Sequence, residues 1–157
     1  MNSRTRNDRI MERGAYVDLV LGIRPTMAVM LGSGRWKDVG RLVRETDRFR
    51  AAINRAAYGP RWSRRPDRSL LYGVAFIEKV ETNPHLHCAL CADDRTSEVL
   101  VVKGEEIWRK MVPGASYDAR PILWPNKYAR YITKELWSDA SFERVEMIGR
   151  AGHDVRS

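Results

Sequence analysis

The chain has 157 residues and carries 28 Lys+Arg against 20 Asp+Glu, a formal net charge of +8. That length suits one domain with a real core, and a basic excess dominated by arginine suits a polyanionic partner, nucleic acid first. No apolar run approaches the ~20 residues that cross a bilayer, Met1–Arg9 lacks the apolar centre of a signal peptide, and two cysteines cannot build a disulfide framework. The expected setting is reducing and cytoplasmic.

Residues 1–23 read as a basic N-terminal segment, 24–149 as the domain and 150–157 as a loose tail. Residues 26–31 form a short apolar run closed by Gly32-Ser33-Gly34, as a buried central strand would be. From Trp36 to Tyr58 the apolar positions Val39, Leu42, Val43, Phe49, Ile53 and Ala57 follow a helical period, and Gly59-Pro60 ends that helix. A basic loop with one aromatic follows at 61–68. Strands are predicted at 70–80 and 85–92 around a turn near Thr82-Asn83, then a short helix at 103–112 and a strand at 116–123. Pro125 suits the first turn of a helix reaching about Trp137, and a last strand falls near Phe142–Ile148. The order predicts an α+β fold, a central, mostly antiparallel five-stranded sheet flanked by helices.

Two of the three histidines stand in Pro84-His85-Leu86-His87. In a strand, positions i and i+2 project from one face, so the imidazoles lie about 6–7 Å apart and can share an ion. A Mg²⁺ or Mn²⁺ site needs a carboxylate as well. With a two-residue turn on Thr82-Asn83, Glu78 stands opposite His87 on the histidine face; a one-residue change of loop length would bring in Glu81 instead. Alternation sends Cys88 to the other face, and Cys88 and Cys91 read as structural thiols.

A second constellation lies on the 125–137 helix. Ala129, Ile132 and Leu136 make its packing stripe with Tyr128 at the edge, while Tyr131 and Lys134 form a neighbouring face with Lys127 one turn earlier. Alone, such a helix is amphipathic surface. Beside a metal-bound phosphate, Tyr131 becomes a nucleophile and Lys134 stabilises its developing charge.

With P-H-L-H at 84–87 and Y-x-x-K at Tyr131–Lys134, 44 residues after His87, the chain resembles the HUH endonucleases, specifically the single-tyrosine rolling-circle replication initiators (Rep). Residues 26–31 stand where that family has its first motif, without its polar signature. The resemblance implies the Rep-like, RRM-related sheet topology. It implies His85, His87 and Glu78 as ligands of Mg²⁺ or Mn²⁺, Tyr131 as nucleophile and Lys134 as its helper. The substrate implied is single-stranded DNA at an origin or nick site, in a bacterial host, with a 5′-phosphotyrosine intermediate and a free 3′-hydroxyl. These 157 residues leave no room for the helicase domain that many such initiators carry, and Gly32-Ser33-Gly34-Arg35 lacks the lysine of a P-loop, so a host helicase and polymerase are expected partners. A monomer or weak dimer is expected.

For DNA contact the expected residues are Arg61, Trp62, Arg64 and Arg65 of the basic loop, with Lys127, Tyr128 and Arg130 on the helix. Arg4, Arg6, Arg24 and Arg35 would extend the patch. The competing readings are an HUH transposase or mobilisation relaxase, and a DNA-binding regulatory protein without turnover. Relaxases usually carry a third histidine in the metal cluster, and here the third, His153, falls in the tail.

Overall fold

The computed structural model describes residues 5–35, 38–134 and 145–149. Strands β1 (Met27–Gly32), β2 (Tyr72–Glu78), β3 (His85–Cys91), β4 (Tyr117–Pro121) and β5 (Val145–Ile148) form one sheet. Its order is β4-β1-β3-β2-β5, with each neighbouring pair antiparallel. The expected α+β architecture, a five-stranded antiparallel sheet flanked by helices, is the one found. Its first four strands, with α2 (Val39–Tyr58) and the consecutive helices α3 (Asp94–Val102) and α4 (Gly104–Met111), make the split β-α-β-β-α-β arrangement. Helices α1 (Arg6–Gly22) and α5 (Pro125–Ile132) lie on the opposite face.

β2 and β3 read as near-continuous apolar runs because both their faces are covered at mid-strand, whereas β1 is covered on the first face and half-buried on the second. On the first face Met27, Val29, Leu31, Ala75, Ile77, Leu86, Cys88 and Leu90 meet Leu42, Phe49 and Ile53 of α2, Leu100 of α3 and Trp108 of α4. On the second, Val74, Phe76 and Ala89 meet Val20 of α1 and Ala129 and Ile132 of α5. Trp108 is fully buried. Its indole Nε1–H donates to the Gly32 carbonyl at 2.9 Å and its ring stands edge-on to Phe49, so one side chain closes the first core against the end of β1.

Three sequence expectations need correction. Residues 1–23 were expected to be a basic segment without an element, yet α1 is a capped helix: Thr5 accepts from the Asp8 amide while the Asp8 carboxylate accepts from Thr5. Its apolar Tyr16, Val17, Val20 and Leu21 pack on the second face. Helix α3 was not expected either; the Asp93 side chain caps it by accepting from the Thr96 amide. Third, β2 pairs Glu78 with His85 and Phe76 with His87, two residues away from the register that a two-residue turn on Thr82-Asn83 would impose. The connection is instead six residues, 79–84, in which Lys79 takes the left-handed conformation (φ 52°) and its carbonyl accepts from the Thr82 and Asn83 amides. A shift of two preserves the face, so Glu78 still joins the histidines.

The expected helix to Trp137 is described to Ile132 and the expected strand from Phe142 is described from Val145; residues 135–144 and the 150–157 tail lie outside the described residues, with Arg4 and His153. No helix among the described residues is long and apolar enough to cross a membrane. Trp108→Ala should destabilise the fold by ~3–5 kcal/mol, read as a shift of the urea midpoint at unchanged slope; an unshifted midpoint would contradict the packing described.

Candidate functional site

At the end of the sheet where β2 meets the hairpin, three side chains turn their ligand atoms toward one point. Glu78 Oε2 lies 3.3 Å from His85 Nε2 and 3.2 Å from His87 Nε2, and one ligand atom from each residue falls within 4.8 Å of the others. The three come from paired strands at matched parity, so the pleat alone brings them together. Glu78 is 2 % exposed, a costly position for a carboxylate without compensating charge. Glu81 is exposed in the connection and takes no part in the cluster.

The donor set fits a divalent cation. Asn83 O, 3.0 Å from His85 Nδ1, can only accept, so Nδ1 carries the proton and a neutral His85 ring aims the Nε2 lone pair at Glu78. Glu78 Oε1 and His87 Nε2 are buried and have no hydrogen-bond partner. The carboxylate and the His85 lone pair, facing one another at 3.3 Å, repel unless a cation lies between them, and spacings of 3.2–3.3 Å suit neighbouring ligands on an ion with bonds of ~2.0–2.1 Å. Burial lowers the His87 pKa, with help from His85 and Lys134 and against the pull of Glu78; the result favours the neutral, ligating ring.

Helix α5 brings the second constellation to the same point. The Tyr131 ring stands edge-on to His87, with centroids 5.4 Å apart, and remains 49 % exposed. Lys134 Nζ lies 4.1 Å from the Tyr131 ring centroid and 3.6 Å from Glu78 Oε1. Burial works to lower the Lys134 pKa, but Glu78 and Tyr131 outweigh it and hold it above the ordinary value. The ammonium therefore stays charged between the carboxylate and the phenol.

The remaining expected residues divide. Tyr128 is half-buried in the second core and its hydroxyl donates to the Cys88 carbonyl at 2.7 Å; burial pushes its pKa well up. Its ring packs in the second core, whereas Tyr131 stands half in water. Lys127 and Arg130 are exposed on α5, and the Arg130 carbonyl accepts from Arg13 of α1.

Arg61, Trp62, Arg64 and Arg65 sit in a 3-10 turn just after α2, where Arg65 lies over the Tyr58 ring and Tyr58 bonds Asp93. That is the end of β2 and β3 away from Glu78 and His85, roughly 20 Å along the strand, so the structure does not bring this loop to the cluster. Cys88 is fully buried and Cys91 half-buried, both free thiols, as the structural reading expected; Cys91 donates to the Ile23 carbonyl. One feature at the start of the helix that carries Tyr131 was not anticipated: Leu123 and Trp124, before α5, are 72 % and 67 % exposed. Apolar residues at a strand–helix junction read as core, so the pattern hid them.

No protein-family model, curated protein or solved structure matches the chain. The site therefore rests on its own geometry. Titration calorimetry with Mn²⁺ should show one site that weakens only as the pH falls beneath the ordinary imidazole range, because His87, whose pKa burial lowers, must be without its proton to ligate. Glu78→Gln should weaken it by more than the ~10–100-fold that loss of an outer hydrogen-bond partner costs. Glu81→Gln should leave it unchanged; the reverse pattern would reject the assignment.

Proposed function

We propose that the protein is a metal-dependent endonuclease and strand transferase, nicking and rejoining single-stranded DNA through a 5′-phosphotyrosine on Tyr131. The observation that carries this reading is the meeting of two constellations at one point: the Glu78–His85–His87 cluster and the Tyr131–Lys134 pair lying against His87 and Glu78. Either alone is ordinary. A half-exposed phenol beside a buried cluster has no evident purpose in packing, and the same ammonium serves both it and Glu78.

Glu78, His85 and His87 would hold Mg²⁺ or Mn²⁺, which when bound neutralises charge on the scissile phosphate. The Tyr131 oxygen attacks phosphorus while the bond to the 3′ oxygen breaks. The phenolic proton passes to solvent, which reaches the half-exposed ring, and the departing 3′ oxygen takes up a proton to become a hydroxyl. An unassisted phenol with pKa near 10 is a poor nucleophile at neutral pH, and the Lys134 ammonium beside the ring stabilises the phenolate as it forms. His85, anchored through Nδ1 to the Asn83 carbonyl, keeps its orientation while the phosphate enters.

One phosphodiester is exchanged for another ester of similar energy, so neither nicking nor joining consumes ATP. Attack by a second 3′-hydroxyl reverses the step and frees Tyr131. Such chemistry suits the start of rolling-circle replication of a plasmid, phage or similar mobile element, with host helicase and polymerase extending the 3′ end.

Incubation with Mn²⁺ and single-stranded oligonucleotides of varied sequence should give a covalent protein–DNA adduct on denaturing gels. Tyr131→Phe should abolish it and Lys134→Ala should slow its formation by ~10²-fold. Tyr128→Phe should keep the adduct and cost ~1 kcal/mol of stability for the lost hydrogen bond. An adduct that survives Tyr131→Phe would sink the proposal, as would single-strand binding with no adduct on any sequence.

A further inference from the structure

The exposed pair before α5 stands in line with the site. Trp124, Lys127, Tyr131 and Lys134 follow one another at spacings of three, four and three, which places them along one flank of the helix; the Lys134 amide continues the turn by donating to the Tyr131 carbonyl. The other flank is taken by α1, whose Arg13 bonds the Arg130 carbonyl and the Thr133 hydroxyl. The underside, Ala129 and Ile132, is buried on β2 and β3. The Trp–Lys–Tyr–Lys flank therefore faces away from α1, over the side of the sheet where β1 and β4 lie. There the second face stays partly open, with Ala28, Met30 and Asp118 half-buried and Arg120 exposed.

We propose that this flank of α5 and the open half of the sheet face form a track for single-stranded DNA, with Trp124 as a base-stacking platform and Lys127 as a phosphate contact. The proposal rests on the nicking reading and names the surface that delivers its substrate. Two adjacent apolar side chains left 72 % and 67 % exposed contribute little to folding and mark a contact surface. Lys127 Nζ lies 5.9 Å from the Trp124 ring centroid, so cation and aromatic face stand together as single-strand binders arrange them. The net charge of +8 favours a polyanion on it. Trp124 precedes Tyr131 by seven residues, about 10 Å of helix, so a strand stacked at one end presents its phosphates to Tyr131 at the other. The path also continues into the established cluster rather than ending on bare surface.

Fluorescence anisotropy with a labelled oligothymidine in Mn²⁺ tests the track apart from the chemistry. Trp124→Ala should weaken binding ~5- to 150-fold with an unchanged melting temperature, and Trp124→Phe should restore most of it. Oligonucleotides carrying 5-iododeoxyuridine should photocross-link to the peptide containing Trp124. Unchanged affinity in Trp124→Ala, or cross-links confined to other peptides, would overturn the track even if the wild type forms its Tyr131 adduct, in which case the nicking reading stands. Weakened binding in the variant without any wild-type adduct would uphold the track and reject the nicking. A clear preference for RNA of the same sequence would overturn the assignment to DNA.

Discussion

Everything at the candidate site depends on the register in which β2 lies against β3. A slip of one residue would turn Glu78 into the apolar first face, beside Leu31 and Leu86, and carry Ile77 out to the histidines. No separate interaction is needed to prevent that slip. Ala75, Ile77, Leu86 and Cys88 bury on one side while Val74, Phe76 and Ala89 bury on the other, so the correct register is the one that satisfies both cores at once. The ligand geometry is in that sense a by-product of hydrophobic packing.

The second face is divided along its length. At its centre Val74, Phe76 and Ala89 pack under α1 and α5 as an ordinary small core; at the hairpin end the same rows continue as Glu78, His85 and His87. A carboxylate at 2 % exposure would be costly in that setting without positive charge close by. Lys134 supplies some of it from the edge, at 3.6 Å and in contact with water, and the two imidazoles leave room for more. Acid, imidazoles, cation and phenol thus form one electrostatic unit, in which changing any member alters the charge the others must balance.

The sequence reveals the parts of this that have short periods. Alternation by two sets His85, His87 and Glu78 on one face, and the helical stripe read over 125–137 sets Tyr131 beside Lys134. What could not be read was geometry set by turns and long-range packing. The pairing of Glu78 with His85 depends on a left-handed Lys79, a conformation with no clear residue signature outside glycine and asparagine. Helix α1 was hidden by its charged residues, although Tyr16, Val17, Val20 and Leu21 carry a helical spacing and Thr5 with Asp8 a capping signature. The basic loop around Trp62 was placed by chemistry alone; chain topology puts it at the far end of β2. Tyr128 and Tyr131 differ by three residues, and only the azimuth of α5 on the sheet makes one a core residue and leaves the other half in water.

The hydrogen bond from Tyr128 to the Cys88 carbonyl joins α5 to β3 one residue from His87 and three from Tyr131. It acts as a short rigid joint between the two bodies whose separation matters most. The contact fixes the height of the helix over the strand at the level of His87, which sets the distance at which the phenol meets the imidazole. A site assembled from a hairpin and a separate eight-residue helix is thereby tied together by a contact that belongs to neither the ligand set nor the nucleophile.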